Sequence, residues 1–296
     1  MRPEVRVGIS GWRYAPWRGK FYPEDLRQAD ELNFAARKFS TIEINGTFYS
    51  LQRPQSFAAW HDATPEDFVF AVKGARYITH MKRLKDVDAA LANFFASGLL
   101  ALKEKLGPIL WQLPPSMAFD PARLAAFFAR LPRDTRAAAR LARRHEAKME
   151  GRTHLKAGGD RPIRHALEVR HDSFRNPDFI ALLRRHDIAL VAADAVAWPL
   201  LMDVTADFVY CRLHGSQELY VSGYESQALG QWARRIEAWL AGAPAKGPHA
   251  GPPSRRKVCK VYVYFDNDAK VRAPADAAAL TRLLQRRGLP VVMPSG

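Results

Sequence analysis

Polar side chains stand near the ends of several apolar segments of this chain, where they could bind and transform a small molecule. The stretch TIEINGTFY (41–49) shows the pattern, because Ile42 and Ile44 share one parity while Glu43 and Asn45 share the other. Since successive strand side chains point to opposite faces, one face of this strand would carry a carboxylate and an amide. An unpaired buried charge is costly, so Glu43 needs a partner, a ligand or water.

Seven further segments repeat the pattern when the bulkier apolar parity is assigned outward and the other parity inward. The polar or aromatic inward residues near their carboxyl ends are Ser10, Trp12, Lys73, Gln112, Glu168, Arg170, Asp194, Arg212, His214 and Asp266, the last followed by Asn267. The deeper inward positions are Gly8, Ala71, Leu110, Ala166, Ala192, Tyr210 and Tyr264. The polar set contains carboxylates, cations and a histidine, which titrates near neutral pH.

This set predicts a polar pocket for a small anionic or sugar-like molecule. Carboxylates and imidazole can transfer protons, and the residues expected to be catalytic are Glu43, Glu168, His214 and Asp266. The residues expected to bind the substrate are Trp12, Asn45, Lys73, Arg170, Arg212, Asn267 and Tyr220. Arg212 suits a bidentate grip on a phosphate or carboxylate. The structural alternative is a network of ion pairs that only closes the end of a barrel, although such networks stabilise poorly.

The segments that must position these residues alternate with helical patterns. The strand-like segments are 5–12, 40–45, 68–73, 109–115, 165–170, 188–194, 208–215 and 260–268. A 3.6-residue apolar period recurs at 24–39, 86–106, 176–186 and 226–242. Eight strands alternating with helices predict a (β/α)8 TIM-type barrel, whose active site lies at the carboxyl ends of the strands. The linker 195–207 is too short for a long crossover helix, which predicts an irregular unit after strand six.

A single barrel domain is expected over residues 1–296. The stretch GAPAKGPHAGPPSRRK (242–257) is basic and rich in proline and glycine, which predicts a mobile loop. It precedes the last strand, so it would lie at the amino ends of the strands, away from the expected site.

Composition limits the function classes. No apolar run reaches about 18 residues, and no basic-then-apolar leader opens the chain, so we expect a cytoplasmic protein without membrane contact. Cys211 and Cys259 match neither a disulfide framework nor a zinc-ligand spacing. Nucleotide-binding and zinc-hydrolase motifs are also missing from the sequence, so no cofactor is predicted.

The formal net charge of +15 favours anionic partners, nucleic acid among them. Much of this charge is arginine on predicted helices, and no RNA-recognition, KH or zinc-finger signature accompanies it. A nucleic-acid-binding or processing protein is therefore one alternative function. A ligand-binding barrel without turnover is another.

A divalent metal is a further alternative, because four consecutive strands offer Glu168, Asp194, His214 and Asp266. Carboxylates and imidazole are suitable ligands for such ions. Positively charged Arg170 and Arg212 next to that set oppose a metal, so none is predicted.

Seven segments, in order, resemble one known family over nearly the whole chain. They are GISGWRYAPWRGKFYP (8–23), EINGTFYSLQRP (43–54), FAVKGARYITH (70–80), LGPILWQLPP (106–115), EVRHDSF (168–174), RLHGS (212–216) and YVYFDND (262–268). They are similar to the YecE-like family, also called domain of unknown function 72. The resemblance implies a (β/α)8 barrel with its site at the strand ends, and it implies no particular reaction. The chain departs from the family pattern in the segment 268–280.

Overall fold

The structure is a computed structural model that describes residues 2–215, 222–254, 256–267 and 270–295. Within these ranges eight strands form a closed barrel in chain order, each parallel to both neighbours. The predicted (β/α)8 TIM-type barrel is therefore confirmed. The strands are β1 (Glu4–Ser10), β2 (Thr41–Ile44), β3 (Val69–Lys73), β4 (Leu106–Gln112), β5 (His165–Glu168), β6 (Ala189–Asp194), β7 (Phe208–Leu213) and β8 (Lys260–Phe265).

The α-helices of the described ranges lie between and after these strands along the chain. They are α1 (Glu31–Ala36), α2 (Gly46–Tyr49), α3 (Pro54–Asp62), α4 (Asp88–Ala96), α5 (Pro121–Arg130), α6 (Thr135–Ala142), α7 (Pro177–Arg185), α8 (Ser226–Leu240) and α9 (Ala273–Arg286). None of them is both long and apolar enough to cross a membrane.

Local chemistry explains where some of these helices begin and end. The side chain of Asn176 caps α7 by accepting a 2.8 Å hydrogen bond from the amide of Asp178, and Pro177 fills the first turn, as that dipeptide predicts. The pattern over 86–106 breaks after α4, because Gly98 adopts a φ of 124° that strongly favours glycine. The pattern over 24–39 yields the shorter helix α1, preceded by turns.

The wall of the barrel separates two hydrophobic clusters. The outer cluster packs Val5, Val7 and Ile9 with the residues of the surrounding helices, and the inner cluster fills the barrel. The predicted inward residues in the inner cluster are Ala71, Leu110, Ala166, Tyr210 and Tyr264. Glycine is required at position 8, since a Cβ there would lie 1.9 Å from the carbonyl oxygen of Thr41.

Strand β6 contradicts one inward assignment. Ala189, Val191 and Ala193 face the barrel interior, while Asp194 accepts a 2.9 Å hydrogen bond from the indole of Trp232 on the outer helix α8. The prediction that Asp194 and Ala192 point inward is therefore wrong. Leu190 is a bulky apolar residue and packs outward. Because side chains alternate strictly along a strand, Ala192 and Asp194 point outward as well.

The connection from β6 to β7 contains no helix, which confirms the irregular unit predicted over 195–207. The stretch 242–257, described apart from Arg255, likewise holds no regular element. The carboxylate of Asp203 accepts hydrogen bonds from the amides of Ala250 and Gly251 at 2.8 and 3.0 Å. These contacts place residues 250 and 251 beside the connection that leads into β7, near the amino ends of the strands. The mobility of the stretch stays a prediction. The single domain over residues 1–296 also stays a prediction.

Candidate functional site

A buried arginine lies at the centre of the carboxyl end of the barrel. Arg212 on β7 grips Glu43 on β2 through two hydrogen bonds, Nη2 to Oε1 at 2.8 Å and Nε to Oε2 at 3.0 Å. Its Nη1 donates to Glu168 Oε2 at 2.8 Å, and its Nη2 donates to Asp266 Oδ2 at 2.9 Å. The guanidinium and the Glu43 and Glu168 side chains are fully buried. One cation therefore joins three carboxylates from different parts of the barrel.

Neutral donors complete the coordination of these carboxylates. The phenol of Tyr210 donates to Glu43 Oε2 at 2.5 Å, and the hydroxyl of Ser10 donates to Glu43 Oε1. The amide of Gln112 donates to Glu168 Oε1 at 2.9 Å. Because buried polar groups are costly when unpaired, this dense pairing holds the charged groups in one arrangement.

The charges keep the carboxylates ionised. Burial raises the pKa of Glu168, but the positive charges of Arg170 and Arg212 outweigh it and hold the pKa well below its ordinary value. Burial likewise raises the pKa of Asp266, and Arg212 with His214 lowers it far more. Both groups are therefore hydrogen-bond acceptors and anions at neutral pH.

His214 is completely buried between two of the carboxylates. Its Nδ1 lies 3.0 Å from Asp266 Oδ2, and its Nε2 lies 3.8 Å from Glu168 Oε2. The indole of Trp198 meets the imidazole edge to face, with 5.0 Å between ring centroids. The imidazole is thus fixed from three sides, with Asp266 as its closest charged neighbour.

A cavity of about 510 Å³ opens beside this cluster, and we call it the strand-top cavity. It is lined by Gly11, Trp12, Arg13, Tyr14, Ile44, Asn45, Gly46, Tyr49, Gln52, Trp60, Lys73 and Asp266. The volume suits a small metabolite. Among the predicted site residues, Trp12, Asn45, Lys73 and Asp266 line the cavity, while Glu43, Glu168, Arg212 and His214 are not in its lining and are linked to it through Asp266.

Lys73 at the end of β3 is the cavity's most unusual group. Its ammonium lies 4.3 Å from the ring centroid of Phe48, and no hydrogen bond or ion pair joins it to any residue in the described ranges. Burial, and then the nearby charge of Arg212, lowers the pKa of Lys73 to about 8. This amine is therefore mostly protonated at pH 7 and about half neutral at pH 8.

Asn45 contributes an open hydrogen-bond acceptor. Its Nδ2 donates to Ser10 Oγ at 3.1 Å, which couples it to the arginine cluster. Its Oδ1 is buried and receives no hydrogen bond from the described part of the chain. A hydroxyl or amine of a bound molecule could satisfy this oxygen, because buried acceptors are normally paired.

The predicted residue Arg170 lies at the edge of the cluster. Its Nε donates to Glu168 Oε1 at 2.8 Å, and its guanidinium stacks 3.5 Å from the ring centroid of Trp198. Both interactions fix the side chain, which is partly exposed.

The predicted residue Asn267 is not among the residues that line the cavity. Asn267 Nδ2 donates to Asp276 Oδ2 at 2.8 Å and to the carbonyl of Ser222 at 3.0 Å, so it joins the start of α9 to the loop after β7. Tyr220 lies outside the described residues. The roles of both residues in substrate binding stay predictions.

Sequence reasoning missed three residues of this region. Tyr210 was assigned inward without a role, although its position two residues before Arg212 puts both on one face. Trp198 comes from the irregular unit after β6, and Trp60 comes from helix α3, where it meets Trp12 edge to face at 5.4 Å. No local signal in the sequence marks either tryptophan as part of the site.

The structure also bears on the metal alternative. Asp194 faces outward, so the four-strand ligand set loses one member. In the described ranges, no group of three or more histidine, cysteine, aspartate or glutamate side chains has the geometry to hold a metal ion. The guanidinium of Arg212 occupies the space among the remaining carboxylates.

Comparison with known proteins identifies relatives. A family model described as "Protein of unknown function DUF72" matches residues 6–295. The UPF0759 protein YecE of Escherichia coli K12 is 27% identical over 125 residues, and the UPF0759 protein YunF of Bacillus subtilis 168 is 25% identical over 116 residues. The first match covers 42% of this chain and 42% of the relative, and the second covers 38% and 40%. These alignments therefore span about two fifths of the curated relatives.

Solved structures match over much more of the chain. A crystal structure of a DUF72 family protein from Thermotoga maritima MSB8 has a TM-score of 0.71 and 26% identity, covering 95% of this chain and 99% of that one. A DUF72 family protein from Enterococcus faecalis V583 has a TM-score of 0.65 and 16% identity, covering 96% and 98%. The second likeness, at its low identity, supports the fold alone.

Proposed function

The chain belongs to the DUF72 family of proteins of unknown function, and we propose that it is an enzyme that binds a small anionic or sugar-like molecule in the strand-top cavity and transforms it by acid–base chemistry. The carrying observation is that one cavity is lined by both a partly neutral amine, Lys73, and an ionised carboxylate, Asp266. An amine whose pKa lies near physiological pH, beside a carboxylate that stays ionised, is typical of sites that move protons.

The buried cluster supports this function because it holds Asp266 in position at the wall of the cavity. Arg212 and His214 both contact Asp266 Oδ2, which leaves Asp266 Oδ1 without a donor among the described residues. Asp266 is therefore held in place as an anion and can still accept a hydrogen bond from a ligand. Arg212 has committed its nitrogens to Glu43, Glu168 and Asp266, so it acts in this proposal by fixing the carboxylates.

The cavity wall supports a ligand with both polar and apolar faces. Trp12 and Trp60 provide flat indole surfaces, on which the C–H face of a sugar ring can pack. Arg13 at the rim offers a cation for a phosphate or carboxylate, and Asn45 offers its open acceptor. A hydroxylated molecule with one anionic group satisfies all of these features.

The experiment is a thermal-shift screen of the purified protein with sugar phosphates, hydroxy acids, nucleotides and neutral sugars. A compound that binds only the folded state raises the melting temperature by mass action. We expect one class of small anions or sugars to raise it, and the Asp266→Asn variant to lose that rise. The matched control is Asp203→Asn at the opposite end of the barrel, which should melt lower without ligand and retain the rise.

The proposal would be abandoned if no small molecule shifted the melting temperature, or if Asp266→Asn and Asp203→Asn responded alike to the active compound. A compound that binds without being consumed would favour the ligand-binding barrel without turnover. Product analysis by mass spectrometry separates these two outcomes.

A second candidate function, nucleic-acid binding, has one observation in its favour. A groove of about 760 Å³ lies away from the strand-top cavity and is lined by Lys20, Phe21, Lys38, Phe39, Lys270, Val271, Arg272, Pro274, Ala275 and Ala278. Its described lining holds four cations and no carboxylate. This concentration of charge suits a phosphate backbone.

Fluorescence anisotropy with a labelled single-stranded oligonucleotide tests this candidate. Binding should weaken steeply with salt and should fall in the double variant Lys20→Glu, Lys38→Glu, while Lys246→Glu, Lys257→Glu serves as the control. Equal binding by the two double variants would assign the affinity to net charge alone.

A further inference from the structure

We propose that Lys73 is a nucleophile that forms an imine with a hydroxylated aldehyde or ketone bound in the strand-top cavity. This inference rests on the proposed function, because it names the substrate class and the covalent step of that same site. Imine-forming lysines need an accessible amine, a desolvated setting that favours its neutral form, and a group that can move protons. The surroundings of Lys73 meet each of these needs.

The amine of Lys73 is accessible and unoccupied by acceptors. It lines the cavity, and within the described chain its ammonium contacts the face of Phe48 without a hydrogen bond or ion pair. Lys105, the other buried lysine, is the opposite case: its Nζ donates to the carbonyl of His61 at 2.5 Å and to that of Thr64 at 2.7 Å. Lys105 is therefore buried with its charge paired to backbone carbonyls, as expected of a structural lysine, and Lys73 is not.

The surroundings also favour a neutral amine. Burial is the largest cause that lowers the pKa of Lys73 to about 8, and Arg212 adds to it. His80 adds no full charge at that pH, because burial lowers its own pKa to about 4. The charged side chains that act on the amine are Arg212, Asp266, Glu43 and Glu168. The three carboxylates oppose the shift, and Arg212, which pairs with all three, offsets part of their charge.

The covalent step needs no reagent beyond the substrate. The neutral Nζ attacks the carbonyl carbon, a C–N bond forms, and the carbonyl oxygen takes up the displaced electron pair and a proton. The resulting carbinolamine loses its hydroxyl as water while the nitrogen loses a proton, which leaves a C=N double bond. Solvent water in the open cavity can receive the proton from nitrogen and supply one to the leaving hydroxyl, because Asp266, whose pKa is lowered, stays ionised. Once protonated, the iminium is stabilised by the negative charge of Asp266.

The hydroxyl requirement follows from the rest of the wall. Asn45 Oδ1 is a buried acceptor with no donor in the described residues, so a hydroxyl next to the carbonyl would pair with it. Asp266 Oδ1 offers a second acceptor. A purely apolar aldehyde would leave the buried Asn45 Oδ1 unpaired, which is costly.

Reductive trapping tests the proposal. The full-length protein is incubated with D-glyceraldehyde and cyanoborohydride at about pH 8, and labelled lysines are identified by peptide mass spectrometry. We expect Lys73 to be labelled at least about tenfold faster than exposed lysines such as Lys246, because a far larger fraction of it is neutral. The labelling rate of Lys73 should rise with pH up to about pH 8 and level off above it.

Two variants control for general reactivity and for misfolding. Lys73→Arg should abolish the fast labelling, and Lys105→Arg should leave it intact. Asn45→Ala keeps Lys73 and should slow labelling by glyceraldehyde more than labelling by propionaldehyde, which lacks the hydroxyls. The proposal is overturned if Lys73 is labelled no faster than Lys246, or if Lys105→Arg removes the fast phase.

The thermal-shift screen separates this inference from the proposed function. Suppose that a small anion raises the melting temperature of the wild type but not of Asp266→Asn, and that Lys73 is labelled slowly. The imine proposal would then be wrong, and the proposed binding site would be retained. Slow labelling and no shift from any small molecule would sink both.

Discussion

The two ends of the barrel each bury an arginine, and they pair it differently. Near the amino ends of the strands, Arg6 Nη1 donates to the backbone carbonyls of Ser40 and Asp67 at 3.0 and 2.8 Å, and its one carboxylate contact is a longer 3.4 Å pair with Glu4 among the described residues. At the carboxyl ends, Arg212 instead pairs with the side chains of Glu43, Glu168 and Asp266. Backbone carbonyls are fixed by the fold, whereas side-chain carboxylates can change partner or protonation when a ligand binds.

The two buried lysines repeat the contrast. Lys105, immediately before β4, is held by backbone carbonyls near the amino ends of the strands, and Lys73, at the end of β3, faces a cavity. The comparison teaches that burial of a cation does not itself mark a site. What distinguishes the carboxyl end is that its charges pair with ionisable side chains next to an accessible cavity.

The largest expected difference between the two ends is in folding stability. Arg212→Met should lower the free energy of unfolding by about 3–5 kcal/mol, since it leaves three carboxylates without their shared cation. Arg6→Met should lower it by only about 1–3 kcal/mol, because it leaves two carbonyl oxygens unpaired. Urea unfolding at pH 7 measures both. Equal losses would show that the two arginines play the same structural part.

A pH dependence should separate the two lysines. The folded pKa of Lys73 lies near 8, below its unfolded value near 10.5, so the unfolded chain binds more protons between those pH values and stability rises with pH there. A shift of this size corresponds to about 3 kcal/mol. The difference in unfolding free energy between wild type and Lys73→Met, measured from pH 7 to 10, should shrink as pH rises. A difference that stays constant with pH would contradict the lowered pKa.

Removing each lysine at pH 7 should change the free energy of unfolding differently. Lys105→Met should lower the free energy of unfolding by about 1–3 kcal/mol, because the carbonyls of His61 and Thr64 lose their donor. Lys73→Met removes a desolvated charge without removing a hydrogen bond among the described residues, so it should leave stability unchanged or raise it. Thermal and urea unfolding of both variants check the pair. A loss at Lys73 as large as that at Lys105 would indicate that Lys73 is structural.

The smallest stability effect is expected at the rim of the cavity. Tyr49 is 70% exposed, so Tyr49→Ala should change the free energy of unfolding by less than about 0.5 kcal/mol. It lines the strand-top cavity, so the same substitution should weaken binding of any compound found by thermal shift. The exposed Tyr77, outside the cavity lining, supplies the control Tyr77→Ala. Equal affinity in the two variants would remove Tyr49 from the site.

The fold was predictable because period and alternation are properties of the local sequence. The eight apolar segments and the patterns between them predict the barrel, and the alternation of residues in β2 and β7 places Glu43 and Arg212 inside it. The prediction is wrong at Asp194 because it follows the polar residue at the end of the segment. Ile188 and Leu190 make the parity of Asp194 the bulkier apolar one, and that parity packs outward.

The pairing within the site was not predictable in the same way. Which carboxylate meets Arg212 depends on the heights of β2, β5 and β8 around the closed barrel, and those heights come from strand register. Sequence alternation therefore identified Arg212 as inward but could not show that its nitrogens are occupied beneath the cavity. Trp198 and Trp60 reach the region from a loop and a helix, for which strand alternation carries no information.

The most direct test of the functional end is a comparison of ligand-induced thermal shifts across four variants. The compound that gives the largest shift in the wild type is tested on Lys73→Met and Asn45→Ala at the carboxyl end, and on Arg6→Met and Lys105→Met at the amino end. We predict that the shift is lost in the first pair and kept in the second, each measured from the variant's own melting temperature. A shift that survives in the first pair, or disappears only in the second, would contradict the assignment of function to the strand-top cavity.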